Sequence, residues 1–185
     1  MRKRPLLCIL ILLLSATALA THRHWMVANG LPTGEVQQII ELPDRQMLIN
    51  CEGVFCLSNG AGFDVIACDY GNTFQMKNYA KGYSHMWQGD SLLWLHDFYR
   101  VYLFDTRIRA FRYDIKSRLN NDVLKQFVKG KLLRNEPNAW QLQCIDSLGL
   151  SKKYNAVAQD RQGGLWVGTR SEGIVYLSPH TKKAE

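Results

Sequence analysis

Several signatures of enzymes are missing from this sequence. There is no Gly-x-Ser-x-Gly elbow, no His-Glu-x-x-His pair and no phosphate-cradling glycine loop. No pair of carboxylates recurs in a shared frame either. Hydrolase, zincin and nucleotide-binding chemistries therefore have no foothold in the motifs, and no catalytic residue is expected. No run of Lys and Arg is interleaved with aromatics, so the dense basic footprint of a nucleic-acid-binding domain is absent. Past residue 20 there is no long apolar run, so no second segment approaches membrane-spanning length. Cysteine is scarce, and Cys51-x4-Cys56 with no nearby His or second Cys pair is not a zinc spacing. No cofactor and no metal are expected.

What is present begins with a leader. Arg2-Lys3-Arg4 precedes an apolar run from Leu6 to Leu14, and Ser15-Ala-Thr-Ala18-Leu-Ala20 supplies small residues for cleavage. Residues 1–20 read as a secretory signal peptide. Cys8 lies inside the apolar run and not at its end, so a lipid anchor is not indicated. Without Arg2, Lys3 and Arg4 the net charge falls from +7 to +4, too mild to imply a polyanionic partner. Export to the periplasm is the expected localisation, and the mature chain, 21–185, is one domain's worth of residues.

Four cysteines then remain, Cys51, Cys56, Cys68 and Cys144. They allow three pairings, and the sequence does not choose among them. If Glu52-Gly53 is a two-residue hairpin turn, Cys51 faces Val54 and Cys56 faces Ile49. The thiols are then diagonal neighbours, a poor geometry for a bridge, and buried free cysteines are the expectation. His22 and His24 lie next to the expected new N-terminus. A copper site there depends on where the leader is cut, and solvated histidines are the plainer reading.

A repeat organises the rest. Tyr154 and Val157 lead to Asp160, a Gly163-Gly turn, the short strand Leu165-Trp-Val-Gly-Thr169, a turn at Gly173, and the strand Ile174–Leu177. Val36, Ile39 and Leu42 fall where Tyr154, Val157 and Asp160 fall. Met47–Cys51 lies on Leu165–Thr169, and Glu52-Gly53 lies on Glu172-Gly173. The lead-ins agree as well, Gly30-Leu31-Pro against Gly149-Leu150-Ser. A looser copy runs through Ser91–Leu95 and Val101–Asp105. Units of several short strands at a period of roughly 40 residues indicate propeller blades. The expected fold is all-β, three to four blades of about four antiparallel strands in an incomplete ring. The blades are clearest at 30–68, 88–113 and 149–178.

Individual strands are expected around 36–41, 47–51, 54–58 and 63–68 in the first unit. In the second they are expected at Leu92–Leu95, Phe98–Asp105 and Ile108–Tyr113. Trp25–Val27 and Trp140–Ile145 read as edge strands standing before the first and last units. Residues 114–139 break the rhythm. Leu119, Val123 and Phe127 recur every four residues and suit a helix around 120–130, or a degraded blade with a hairpin about Gly130. Asp44, Asp97, Asp160 and Glu172 sit at turns, where a carboxylate hydrogen-bonds backbone.

The motif Val157-x-x-Asp160-Arg-Gln-Gly163-Gly-Leu-Trp166-Val-Gly-Thr169…Gly173-Ile, with Gly30-Leu-Pro…Val36-x-x-Ile39, resembles the two-component regulator propeller repeat. That family forms the periplasmic sensing region of hybrid two-component histidine kinases, whose tandem propellers detect glycan breakdown products. The resemblance implies a ligand-sensing module, here a short or truncated member, with an oligosaccharide as its partner. The chain lacks the family's kinase, receiver and DNA-binding motifs, so signalling chemistry is not carried over. Trp87, Trp94, Trp140, Tyr99 and Tyr102 are the aromatics that would stack on sugar rings, though strand aromatics usually serve the core. No ligand-binding residue is singled out. A lone outer-type strand at Trp25–Val27 and a last unit without its outer strand suit a ring closed by its own first strand. With too few blades, the same edges would instead pair with a second copy, associate with a larger propeller sensor, or stand as an orphan fragment acting in assembly.

Overall fold

In the computed structural model the described residues are 22–69, 74–75, 84–97, 100–120, 122 and 136–179. The expected leader at 1–20, Tyr99, and most of the 120–130 helix or hairpin lie outside them.

Three antiparallel sheets make up the fold, with few helices, and they do not close into a ring. The first is β2 (Gln38–Glu41), β3 (Met47–Cys51), β4 (Val54–Ser58) and β5 (Phe63–Ile66), paired in that order. The second runs β7 (Ser84–Gln88), β8 (Leu92–His96), β9 (Arg100–Asp105) and β10 (Ala110–Arg112). The short β6 (Phe74–Gln75) also pairs with β9. The third is β11 (Tyr154–Gln159), β12 (Leu165–Thr169) and β13 (Ile174–Leu177), completed at its outer edge by β1 (His22–Trp25). Each sheet is a meander from an inner to an outer strand, as a propeller blade is.

The turns show why the two repeat copies superpose. In the β11–β12 turn Asp160 N donates to Gly164 O and Gly163 N donates to Asp160 O, each at 2.9 Å. In the β2–β3 turn Leu42 N donates to Gln46 O at 2.8 Å and Arg45 N to Leu42 O at 3.0 Å. Gly163 has φ 88° and Arg45, in the matching position, has φ 71°. The left-handed residue is thus retained even where glycine is not, because the hairpin needs it. Asp160 Oδ1 accepts from the amides of Gln162 and Gly164, and in the first copy Asp44 Oδ1 accepts from Gln46.

The first sheet lies between the other two, and that explains its unbroken hydrophobicity. On one face Ile39, Met47, Ile49, Cys51 and Cys56 pack with Ala156 and Ile174 of the third sheet. On the other, Ile40, Leu48, Phe55 and Leu57 pack with Leu93, Leu95, Tyr102, Phe104 and Phe111 of the second. Alternate residues of β3 and β4 therefore enter different cores, the period of two expected of a strand covered on both sides. The close approach of the first and third sheets requires a residue with no side chain at 168. A Cβ on Gly168 would come within 2.5 Å of Val36 Cγ1. Val36 N also donates to Thr169 O at 2.8 Å, tying the two sheets by backbone.

Helical segments cover the outer faces of the two end sheets. The one-turn helix Ile115–Arg118 places Ile115 on Met86, Trp94, Val101 and Leu103. The helix Ala139–Ser147 places Ile145, with Trp140, Cys144 and Leu148, on Val157, Leu165, Val167, Val175 and Leu177.

That second helix corrects the edge strand expected at Trp140–Ile145. Trp140, Leu142 and Cys144 alternate as in a strand. However, Trp140-Cys144-Leu148 and Gln141-Ile145 also repeat every four residues, and it is the latter pattern that packs. Asn138 decides the matter locally. Its side chain accepts from Gln141 N at 3.0 Å while Gln141 Oε1 accepts from Asn138 N at 2.8 Å, a reciprocal N-terminal cap. The strand expected at Trp25–Val27 is also displaced. It ends at Trp25, and Val27–Asn29 forms a 3₁₀ turn closed by Gly30 at φ 93°. The second blade begins at Ser84, earlier than the expected 88, and its last strand is only Ala110–Arg112.

Candidate functional site

A cleft of about 440 Å³ opens between the first and third sheets. Its apolar wall is aromatic and comes from three strands. Trp25 of β1 lies flat on Trp166 of β12, with ring centroids 5.1 Å apart and planes 7° from parallel. Tyr176 of β13 leans on Trp166 at 4.9 Å, and the edge of Phe63 meets Trp25 at 5.8 Å. The register places these residues together. Trp166 is opposite Tyr176 across the β12–β13 pair, and Trp25 is opposite Ile174 across β1–β13. The chain bends from Trp25 into the next turn at a point where only glycine fits. Gly173 has φ 79°, and a Cβ on it would fall 2.1 Å from Trp25 O.

Polar groups ring this wall. Asp160 has two tasks, since its Oδ1 holds the turn and its Oδ2 accepts from Trp166 Nε1 at 2.9 Å. It thereby fixes the indole's orientation. Burial, followed by the nearby Asp160 carboxylate, raises the Tyr176 hydroxyl above the ordinary tyrosine range, so it stays a neutral donor. Gln46 also lines the cleft. Its Nε2 donates to Ser58 O at 2.8 Å, but its buried Oε1 has no hydrogen-bond partner among the described residues. Arg23, Asp44 and Arg45 complete the rim.

Contacts between the turns hold that rim in place. Arg161 N donates to Glu41 Oε2 at 2.9 Å and its guanidinium to Pro43 O at 3.1 Å, joining the third sheet to the first. Arg109 donates to Asp44 Oδ2 at 3.0 Å, joining the second sheet to the same turn. Surface ion pairs like these add little stability, but they leave the turn little freedom to move.

The aromatics expected to stack on sugars do not form this wall. Trp94 and Tyr102 are wholly buried, Trp94 Nε1 donating to Gln88 and the Tyr102 hydroxyl to Asp97. Trp140 packs its helix on the third sheet, and Trp87 packs beside the core shared by the first two. The three that do converge went unread, although Trp166 stands in the repeat motif and a hairpin turn at 170–173 puts Tyr176 opposite it. Trp25 was legible as part of a lone strand ahead of the first unit, but not as a wall of this cleft. Its place depends on β1 pairing with β13.

The turn roles expected of Asp44, Asp97 and Asp160 are seen. Asp97 Oδ1 accepts from Arg100 N at 2.7 Å, as Asp44 and Asp160 accept from their own turns, whereas the Glu172 carboxylate departs from that role and pairs with Lys153 Nζ at 2.7 Å. His24 Nε2 is bonded to Glu172 O, and among the described residues no group of three or more His, Cys, Asp or Glu is placed to hold a metal. All four cysteines are free, and the register is the expected one, Cys51 opposite Val54 and Cys56 opposite Ile49. The hydrogen bond to Cys51, together with burial, pushes the Cys56 thiol far above its ordinary range. No helix among the described residues is long and apolar enough to cross a membrane.

Residues 149–171 match the family model described as two component regulator propeller. This segment contains the Asp160 turn, β12 and Trp166, so the wall of the cleft is partly built from the residues that match that model. No curated protein matches the chain. Among solved structures, the chain is similar to the extracellular domain of a putative hybrid two component system from B. thetaiotaomicron. The identity is 15% and the TM-score 0.26, over 78% of this chain and 15% of that one. The chain thus spans a small fraction of that structure's length.

Proposed function

We propose that this chain is an exported, periplasmic ligand-recognition unit of propeller blades, and that it binds an oligosaccharide in the cleft between its first and third sheets. The observation that carries this reading is the Trp25–Trp166 stack with Tyr176 beside it, facing a rim of hydrogen-bonding side chains. Sugar rings offer apolar C–H faces to aromatic surfaces and hydroxyls to polar rims. The cleft's volume falls in the range of small-ligand sites, roughly 300–1,000 Å³. The unpartnered Gln46 Oε1 is an acceptor awaiting a hydroxyl donor. The reading is one of binding without turnover, as for a sensor.

A thermal-shift and calorimetry screen of the mature chain against neutral and acidic oligosaccharides tests it. At least one glycan should raise the melting temperature and lose affinity tenfold or more in Trp166→Ala. A well-folded protein that responds to no glycan overturns the proposal.

A second reading rests on the open arc of three sheets. The unit would then work as an assembly module, joining a second copy or a larger propeller sensor. Light scattering of the purified mature chain separates the two, since a strict monomer rules out the homodimer.

A further inference from the structure

A second cavity, about 340 Å³, lies where the inner strands β2, β7 and β11 converge, and of its lining only Glu41 is shared with the aromatic cleft. Its polar lining is His85, Glu41, Glu136, Asn138, Gln141 and Gln159, with the Trp87 ring beside them. His85 is the informative residue. It is 6% exposed, it lines the cavity, and no hydrogen bond joins its ring to another described residue. Its imidazole therefore keeps hydrogen-bonding capacity for a ligand in the cavity. Burial lowers its pKa to about 4, so at neutral pH it is uncharged and one ring nitrogen is a free acceptor.

The other groups share one bias. Among the described residues no Lys or Arg lines the cavity, whereas two carboxylates do. Glu41 is already engaged by the Arg161 amide, but Glu136 has no ion-pair partner among the described residues and stands exposed at the rim. Gln141 is buried, with its Oε1 occupied in the helix cap. Gln159 Nε2 donates to Gly163 O, which leaves its own carbonyl oxygen for a ligand. Acceptors, negative charge and an indole face together suit a ligand that brings donors and positive charge.

We propose that this second cavity is a binding site for a small organic ammonium compound, held by His85, Glu136 and Gln159 and by the Trp87 ring. It is independent of the aromatic cleft, and neither proposal requires the other.

The test is calorimetry on the mature chain at pH 7.5 and low salt, with glucosamine and putrescine as the ammonium probes. N-acetylglucosamine, whose nitrogen carries no charge, is the control. At least one ammonium probe should bind, and at least tenfold more tightly than N-acetylglucosamine. Glu136→Gln should weaken that binding fivefold or more, as should His85→Asn. Trp166→Ala, which removes a side chain that does not line this cavity, should leave it unchanged. Because Glu136 is exposed, its variant decides the outcome even if His85→Asn fails to fold. The proposal is overturned if neither probe binds, if N-acetylglucosamine binds equally well, if Glu136→Gln has no effect, or if Trp166→Ala abolishes binding.

Discussion

The indole of Trp25 lies 5.1 Å above that of Trp166 and within 7° of parallel, so the first described strand is locked to the middle of the last sheet by one aromatic pair. β1 contributes little else to the core, since His22, Arg23 and His24 are exposed. The closure of the third sheet therefore depends on this contact and on the β1–β13 ladder.

Trp25→Ala should destabilise the protein by about 2–4 kcal/mol, toward the lower end of large-to-small aromatic substitutions because the ring is only half-buried. Trp166→Ala should cost a similar amount. The double variant should cost less than the two together, by about 0.5–1.5 kcal/mol, because the pair is lost once. Urea unfolding midpoints measure all three, and strict additivity would show that the stack contributes nothing.

Gly168→Ala tests the packing of the first and third sheets. The added methyl falls 2.5 Å from Val36 Cγ1 and 3.2 Å from Ile39 Cδ1, both in wholly buried side chains. Overpacking of this kind costs about 1–3 kcal/mol. A melting temperature unchanged in this variant would mean that the sheets are not in contact there.

Acid should destabilise the fold in two stages. His85 titrates at about 4 in the fold and at 6.5 when unperturbed, because burial disfavours its charge. Between those values the unfolded chain binds the proton and the native one does not. Stability then falls as pH drops from about 6.5 to 4, by up to about 3 kcal/mol. Asp105 acts lower down. Its bond to the Arg107 side chain, more than any other contact, holds its pKa below the usual carboxylate value. Its contribution is present above the unfolded pKa and is lost as pH falls through the folded one. His85→Asn should flatten the upper stage and leave the lower, as followed by denaturant unfolding across the pH range.

The thiols should titrate unevenly. Under denaturing conditions residues 21–185 should give four free thiols by Ellman's reagent. In the native state Cys51 and Cys56, both wholly buried, should be silent. Cys68, pushed up to about 12 chiefly by burial, should react slowly at neutral pH. A mass two units lower than the fully reduced chain would reveal a disulfide and contradict the free cysteines seen here.

The blades were legible because their grammar is local. The hydrogen bonds that make a hairpin turn at Asp160–Gly164 or Leu42–Gln46 close within five residues, and strand alternation is carried by adjacent side chains. The equivalence of Leu42 with Asp160 could thus be read directly, and so could the diagonal placement of Cys51 and Cys56. The short run Trp140–Ile145 could not. It satisfies both a period of two and a repeat of four, and only the Asn138 cap and the face offered by the third sheet select the helix. The candidate sites lay further from view. Trp25 joins Gln46, Asp160 and Tyr176 in one cleft because β1 crosses to β13, and His85 meets Glu136 and Gln159 only where three inner strands converge. By itself the sequence determined the blades, through turn chemistry and period-two burial. Their arrangement around shared cavities was decided by contacts between residues of different sheets, far apart in the chain, which no local pattern encodes.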